Sequence, residues 1–339
     1  MSEISFDEYD IGVGEAGYGN IAIPEFFADG QGLEIPFLVM NGADPGPCLY
    51  IQVAQHGSEV MGLEAVRRLI LELDPLDMSG SLIYCLPNPL AFRERQRATA
   101  LDPVPGGMNR VWPGDPRGSP TERMADLIWR ELVCKADEVV DLHTGSRRAP
   151  AWVFYEGEGV SEEASREVEE RSAQMARIFG APILYVETEA YGGRKTLRAN
   201  CVDNGIPAIV PELSGAGYFD EEIVEMAYRG LRNILVDLGI IEGSLELPER
   251  QFKLKWTSDS KEYSVLANSG GVFMPTVELG DIVEEGEEVG YIYSPRTFEE
   301  LESLSSPQAG YVFHIRENPI VNQGDQLIRV PEILEEFSN

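Results

Sequence analysis

The sequence predicts an α/β fold, a sheet covered by helices, followed by a small all-β unit. Three observations carry this expectation. Between residues 33 and 238, strand-like runs alternate with runs of helical spacing, the pattern of a sheet sandwiched between helices. After about residue 250 the helical spacing stops, and short β runs follow one another between glycine turns. The chain also has 339 residues, more than one core usually organises. The expected division is a catalytic-sized domain over 1–250, with 1–32 as a lead-in segment, and a β domain over 251–339.

Element by element, LEIPFLVM (33–40) and CLYIQVA (48–54) are read as strands, with Asp44 to Pro47 as the turn between them. MGLEAVRRLILEL (61–73) has apolar residues at helical spacing and stops at Asp74-Pro75. SLIYCLP (81–87) is a strand. Ser119-Pro120-Thr121-Glu122 is a capping box with proline at the first helical position, opening a helix to about Lys135. DEVVDLH (137–143), AWVFY (151–155), ILYVE (183–187) and PAIVPEL (207–213) continue the strands, with helices expected at 161–179, 195–204 and 220–238. Beyond 250, GGVF, VELGDIVEEGEEVG and PQAGYVFHIRENPIVNQGDQL suggest paired hairpins in a small barrel or sandwich. One short helix is entertained there, at Phe298–Leu304.

Charge excludes whole classes of partner. Asp and Glu number 58 against 27 Lys and Arg, a formal charge of −31. Such a field repels nucleic acid and anionic lipid, so neither is expected as a partner. Only five of the cations are lysine, and few lysines among many carboxylates suggest a saline cytoplasm. The four cysteines are widely spaced without CxxC and are expected as buried free thiols. No signal-like opening and no apolar run of about 18 residues occurs, so a soluble cytoplasmic protein is expected. A homo-oligomer is compatible with all of this.

Histidine is scarce and therefore informative. Of His56, His143 and His314, two follow strands, at the carboxyl ends where such sheets collect ligands. Glu59 lies three residues after His56 across a glycine, so one turn could aim both at one ion. His143 would complete a set of two imidazoles and a carboxylate, a zinc site with a position left open. Asp141 could orient an imidazole. Glu212 ends another apolar strand and is a candidate base, with helix capping or an arginine pair as its alternative role. Arg93, Arg95, Arg97 and Arg110 fall within 18 residues of this acidic chain; guanidinium suits a carboxylate or an oxyanion. Arg198 and Tyr191 are further candidate substrate contacts, with packing or surface pairing as the alternative. Gly12 to Gly17 spells GxGxxG without a preceding strand, so no dinucleotide is expected. His314 is expected at the surface.

In chain order HGSE, NPLAF with its following arginines, MNRVWPG, DLHTG and PELSG resemble the motifs of the succinylglutamate desuccinylase/aspartoacylase family, a branch of the zinc carboxypeptidase-like hydrolases. The resemblance runs from about residue 34 to 330 and includes that family's barrel-sandwich appendage. It implies a mixed sheet and one Zn2+ per chain held by His56, Glu59 and His143. It further implies Glu212 as general base and then proton donor, Arg97 polarising the scissile carbonyl, and Asn109 with Arg110 gripping the substrate's carboxylate. Serine at 58 replaces the family's usual aspartate, and DLNR becomes Gly-Met-Asn-Arg. The loop between Arg97 and Asn109 leaves Arg95 as an alternative to Arg97. The activity implied is hydrolysis of a small, anionic N-acyl amino acid. A carboxypeptidase on small peptides, an esterase and a non-catalytic binding protein are the rival readings.

Overall fold

A computed structural model describes residues 9–145, 149–189, 194–215, 219–257 and 259–339. The elements of its first part are β1 (Glu15–Ile23), β2 (Leu33–Asn41), β3 (Asp44–Val53), α1 (Met61–Glu72), β4 (Ser79–Cys85), α2 (Pro89–Glu94), α3 (Pro120–Glu131), β5 (Glu138–Thr144), β6 (Trp152–Glu156), α4 (Arg166–Phe179), β7 (Ile183–Glu187), α5 (Leu197–Asp203), β8 (Ala208–Leu213), α6 (Glu221–Asp237) and β9 (Arg250–Trp256). The strands form one mixed sheet in the order β1-β2-β4-β3-β5-β8-β6-β7-β9, and the last strand of the chain, Ile333–Ser338, completes it. β4, β3, β5 and β8 run parallel to one another, whereas β6 is antiparallel to β8 and takes β7 and β9 with it.

Alternation along β3 shows how the sheet is covered. Leu49, Ile51 and Val53 join the core that takes in Met61, Ala65 and Leu69 of α1 and the buried faces of α4 and α6. Cys48 and Tyr50 face the other way, onto Met124, Ala125 and Ile128 of α3 and Leu197 and Cys201 of α5, as the period of two requires. Gln52 points to that second side also and is fully buried, which demands polar partners. The capping box of α3 forms as expected, Ser119 accepting from the Glu122 amide and Glu122 from the Ser119 amide.

Several expectations are corrected. The lead-in 1–32 contains β1, antiparallel to β2; Phe37 lies over Gly19 so closely that a Cβ there would meet its ring at 2.1 Å. Asp44 to Pro47 form the start of β3, not a separate turn. Phe298–Leu304 is no helix: Phe298 has φ 61°, and Glu300–Ser305 is a strand paired with Glu288–Tyr293. Cys48, Cys85 and Cys201 are buried free thiols, but Cys134 is exposed. His314 is half-buried in a short strand opposite Arg329.

Beyond 256 the short strands build three small antiparallel sheets around Phe273, Val289, Ile292 and Ile328. The expected boundary at 250/251 falls inside β9, and the chain returns to the main sheet at 333. Phe313 seals the join, its ring 5.1 Å from Trp152 of β6 and 4.9 Å from Tyr185 of β7. No helix among the described residues is long and apolar enough to cross a membrane.

Candidate metal centre

The centre forms where β3, β5 and β8 end together. After Val53 the chain turns through Ala54, in the left-handed region at φ 61°, and the Glu59 amide closes a tight turn on the His56 carbonyl at 2.9 Å. Gly57 lies against the backbone of α2: a Cβ there would fall 1.9 Å from the Ala91 carbonyl carbon. Asn88 caps α2 by accepting from the Ala91 amide and donates to the Gln55 carbonyl. The HGSE and NPLAF segments therefore pack as one unit.

Within this unit the two imidazoles converge on one carboxylate. His56 Nδ1 lies 2.9 Å from Glu59 Oε1 and His143 Nδ1 lies 2.7 Å from Glu59 Oε2. All three residues are buried, with ligand atoms within 4.8 Å of one another. His143 Nε2 is 3.2 Å from Asp141 Oδ2, a contact that would orient the ring and leave Nδ1 for an ion. His56 Nε2 is buried with no hydrogen-bond partner among the described residues. Two imidazoles and a carboxylate are the donor set of a zinc centre with an open position, and the residues present fit that ion.

Electrostatics reinforce the grouping. Burial alone would raise the Glu59 carboxyl, but the charges and hydrogen bonds of His143 and His56 outweigh it and hold the group far below the usual range. Burial opposes charge on His143, yet Asp141 and Glu59 raise its pKa. His56 is lowered, chiefly by burial. Glu212 is pushed up to about 7 by burial, with Glu59 adding and His143 opposing.

The remaining candidates divide. Glu212 is level with His143 in the β5–β8 ladder. Arg97 Nη1 reaches Glu59 Oε1 at 2.5 Å from a largely exposed side chain, whereas Arg95 ends α2 in the left-handed conformation. Asn109 and Arg110 occupy one turn over Gly107–Arg110; Asn109 Oδ1 is buried without a partner among the described residues. Arg198 is a correction. Its guanidinium is buried between Glu187, at 2.5 Å, and Glu156, at 3.3 Å. Both acids end strands that run opposite to β8, with Trp152 rather than Glu156 beside Glu212. Arg198 therefore serves an ion pair toward the other edge of the sheet and is not free for substrate. Tyr191 lies outside the described residues.

Sequence reasoning missed Gln52, Gln55 and Trp112. Gln52 donates to Asp141 Oδ1 at 2.8 Å, accepts from the Tyr50 hydroxyl at 3.0 Å, and lies 3.4 Å from Gln55. A glutamine inside the apolar run CLYIQVA was the available signal.

The succinylglutamate desuccinylase/aspartoacylase catalytic domain model matches residues 45–238, and the chain belongs to this family of deacylase-type hydrolases. N-alpha-acetyl-L-2,4-diaminobutyric acid deacetylase of Halomonas elongata is 30% identical over 306 residues, 89% of this chain and 86% of that protein. Among solved structures, a succinylglutamate desuccinylase/aspartoacylase from Rhodobacter sphaeroides is 26% identical with a TM-score of 0.76, covering 98% of this chain and 100% of that one. The product-bound ectoine utilization protein EutE of Ruegeria pomeroyi shares the fold at a TM-score of 0.78 and 24% identity, over 95% of this chain and 98% of that one.

Proposed function

We propose that this chain is a zinc-dependent deacylase that hydrolyses the amide bond of a small N-acyl amino acid. The observation that carries the reading is the convergence of His56, Glu59 and His143 at the carboxyl edge of the sheet, with Glu212 level with His143. The name of the Halomonas relative makes an N-acetylated diamino acid the first substrate to test.

His56, Glu59 and His143 would hold the ion, which when bound supplies Lewis-acid polarisation of the amide carbonyl and acidifies water. Glu212 takes a proton from the attacking water and delivers it to the departing nitrogen as the C–N bond breaks, giving a carboxylate and an amine. Arg97 places positive charge beside the developing oxyanion. Asn109 and Arg110 grip the substrate's carboxylate, Arg110 through a planar donor fork. The C-terminal β region is a small second domain walling the cleft, a role supported by Phe313 on Trp152, the neighbour of Glu212.

The test is a hydrolysis screen of N-acyl amino acids, short peptides and esters, with and without chelator. Chelator-sensitive release of an acyl group from N-acyl amino acids is expected. Turnover of peptides alone would replace the reading with a carboxypeptidase, and chelator-insensitive turnover would remove the metal from it.

A further inference from the structure

The sheet face that carries His143 is packed with apolar side chains under α3 and α5, yet Tyr50, Gln52 and Asp141 are all buried on it. Gln52 and Asp141 are Cα partners on the parallel strands β3 and β5, so their side chains leave the sheet side by side. A carboxylate only accepts, so the Gln52 atom 2.8 Å from Asp141 Oδ1 must be its amide nitrogen. The Gln52 carbonyl oxygen then faces Tyr50 and accepts the phenol hydrogen at 3.0 Å.

The other carboxylate oxygen, Asp141 Oδ2, lies 3.2 Å from His143 Nε2. With Nδ1 left for an ion, Nε2 carries the ring hydrogen and donates it. The Gln55 amide nitrogen, 3.3 Å from the same ring nitrogen, meets it donor to donor and makes no bond. Gln55 is held elsewhere, its Oε1 accepting the Trp112 indole N–H at 2.5 Å. Among the described residues Asp141 alone therefore accepts from His143 Nε2, and whatever fixes Asp141 fixes the ring. Donation runs from Tyr50 to Gln52 and from Gln52 to Asp141, with His143 donating to the same carboxylate from its other side.

We propose that Gln52 is a positioning residue for the metal centre, holding Asp141 so that His143 presents Nδ1 to the ion, with Tyr50 setting the direction of the Gln52 amide. The inference rests on the metal reading above. An aliphatic side chain would fill position 52 without burying a polar group, as Leu49, Ile51 and Val53 do on the opposite face. What the glutamine adds is the amide hydrogen on Asp141. Partners that orient a metal-bound imidazole from outside the ligand set typically contribute about 10- to 100-fold to metal affinity. Without the amide, Asp141 keeps only its contact with His143 and is free to turn. Removing the Tyr50 hydroxyl leaves the Gln52 donor in place but releases its far end, a smaller loss.

The full-length protein tests this by zinc affinity, read in competition against a chromogenic chelator, beside the melting temperature of the zinc-free chain. Gln52→Met keeps the length and deletes the amide; Tyr50→Phe deletes only the hydroxyl. Gln52→Met is expected to weaken zinc about tenfold or more, and Tyr50→Phe about threefold, below the range for a direct partner. Because Gln52 acts through Asp141, adding Gln52→Met to Asp141→Ala should weaken zinc no further. A glutamine with a purely structural role would lower the melting temperature and leave the zinc affinity of folded Gln52→Met unchanged. That result overturns the proposal, as does full additivity with Asp141→Ala. If Gln52→Met does not fold, wild-type zinc affinity in Tyr50→Phe overturns it equally. A wild-type chain that takes up no zinc overturns the metal reading itself, and this inference with it.

Discussion

Glu212 and His143 are Cα partners on adjacent parallel strands, so the candidate base and a candidate metal ligand leave the sheet at the same level. Trp152 of the antiparallel β6 is the Cα partner of Glu212 on the other side, so Glu212 stands in the sheet between two buried neighbours. Glu212→Gln keeps the shape and removes the proton acceptor. Turnover should fall about 10²- to 10⁴-fold while the zinc content, read by elemental analysis, stays at the wild-type level. Near-wild-type turnover would remove Glu212 from the chemistry.

The arginine alternatives separate by experiment as they do in space. Arg97 touches Glu59, and Arg95 only terminates α2. Arg97→Ala is expected to lower kcat about 10²- to 10³-fold, the range for losing an oxyanion partner. Arg95→Ala should remain near wild type. The reverse order in steady-state rates would reassign the role.

Gly57 is where backbone meets backbone. Because a Cβ there would lie 1.9 Å from the Ala91 carbonyl carbon, Gly57→Ala must push the His56–Glu59 turn and α2 apart. Overpacking of this sort costs about 1–3 kcal/mol, and the displaced ligands should also bind zinc more weakly. A variant matching wild type in both melting temperature and zinc titration would show that the turn can yield.

The clustering of His56, Glu59 and His143 and the place of Glu212 beside them were legible because a metal site would need such residue types at strand ends, and periodicity located those ends. The helices facing the sheet were legible for the same reason, their apolar spacing being dictated by a flat partner. β1 was not, since Gly17 and Gly19 weaken any strand signal and Phe37, eighteen residues after Gly19, supplies the cover. Glu300–Ser305, most of it inside the stretch entertained as a helix, is fixed as a strand only by its pairing with Glu288–Tyr293. Arg198 misled because an arginine near the motifs looks like an anion contact until the reversal of β6 and β7 places its partners at the far edge. Gln55 and Trp112 are 57 residues apart, a separation no local pattern reports.

The net charge of −31 predicts a strong response to salt. At about 0.1 M ionic strength charges act over about 10 Å, and at about 1 M over about 3 Å, so repulsion within the folded chain should fade across that range. The melting temperature by circular dichroism is expected to climb from low to molar sodium chloride. A flat response would show that the acidic surface costs the folded state little.

The Arg198 pair makes a prediction about stability rather than catalysis. Arg198 lies buried against Glu187 and Glu156, and removing it by Arg198→Met strands the buried Glu187 carboxylate while Glu156 keeps Arg194, a loss of about 3–5 kcal/mol. Burial holds the Glu187 carboxyl above its ordinary pKa, with Arg198 opposing that rise. A carboxyl raised on folding favours the folded state when protonated, so its contribution is fully present below the ordinary carboxylate range and is lost as pH rises through the raised value. Without Arg198 the rise should be larger, so the penalty should extend to higher pH. Urea midpoints should therefore drop more steeply in Arg198→Met than in wild type as pH climbs from about 4.5 toward neutrality. Activity per folded molecule should change little, because the pair faces away from His143. Parallel pH profiles for the two proteins would show that Glu187 does not report on Arg198.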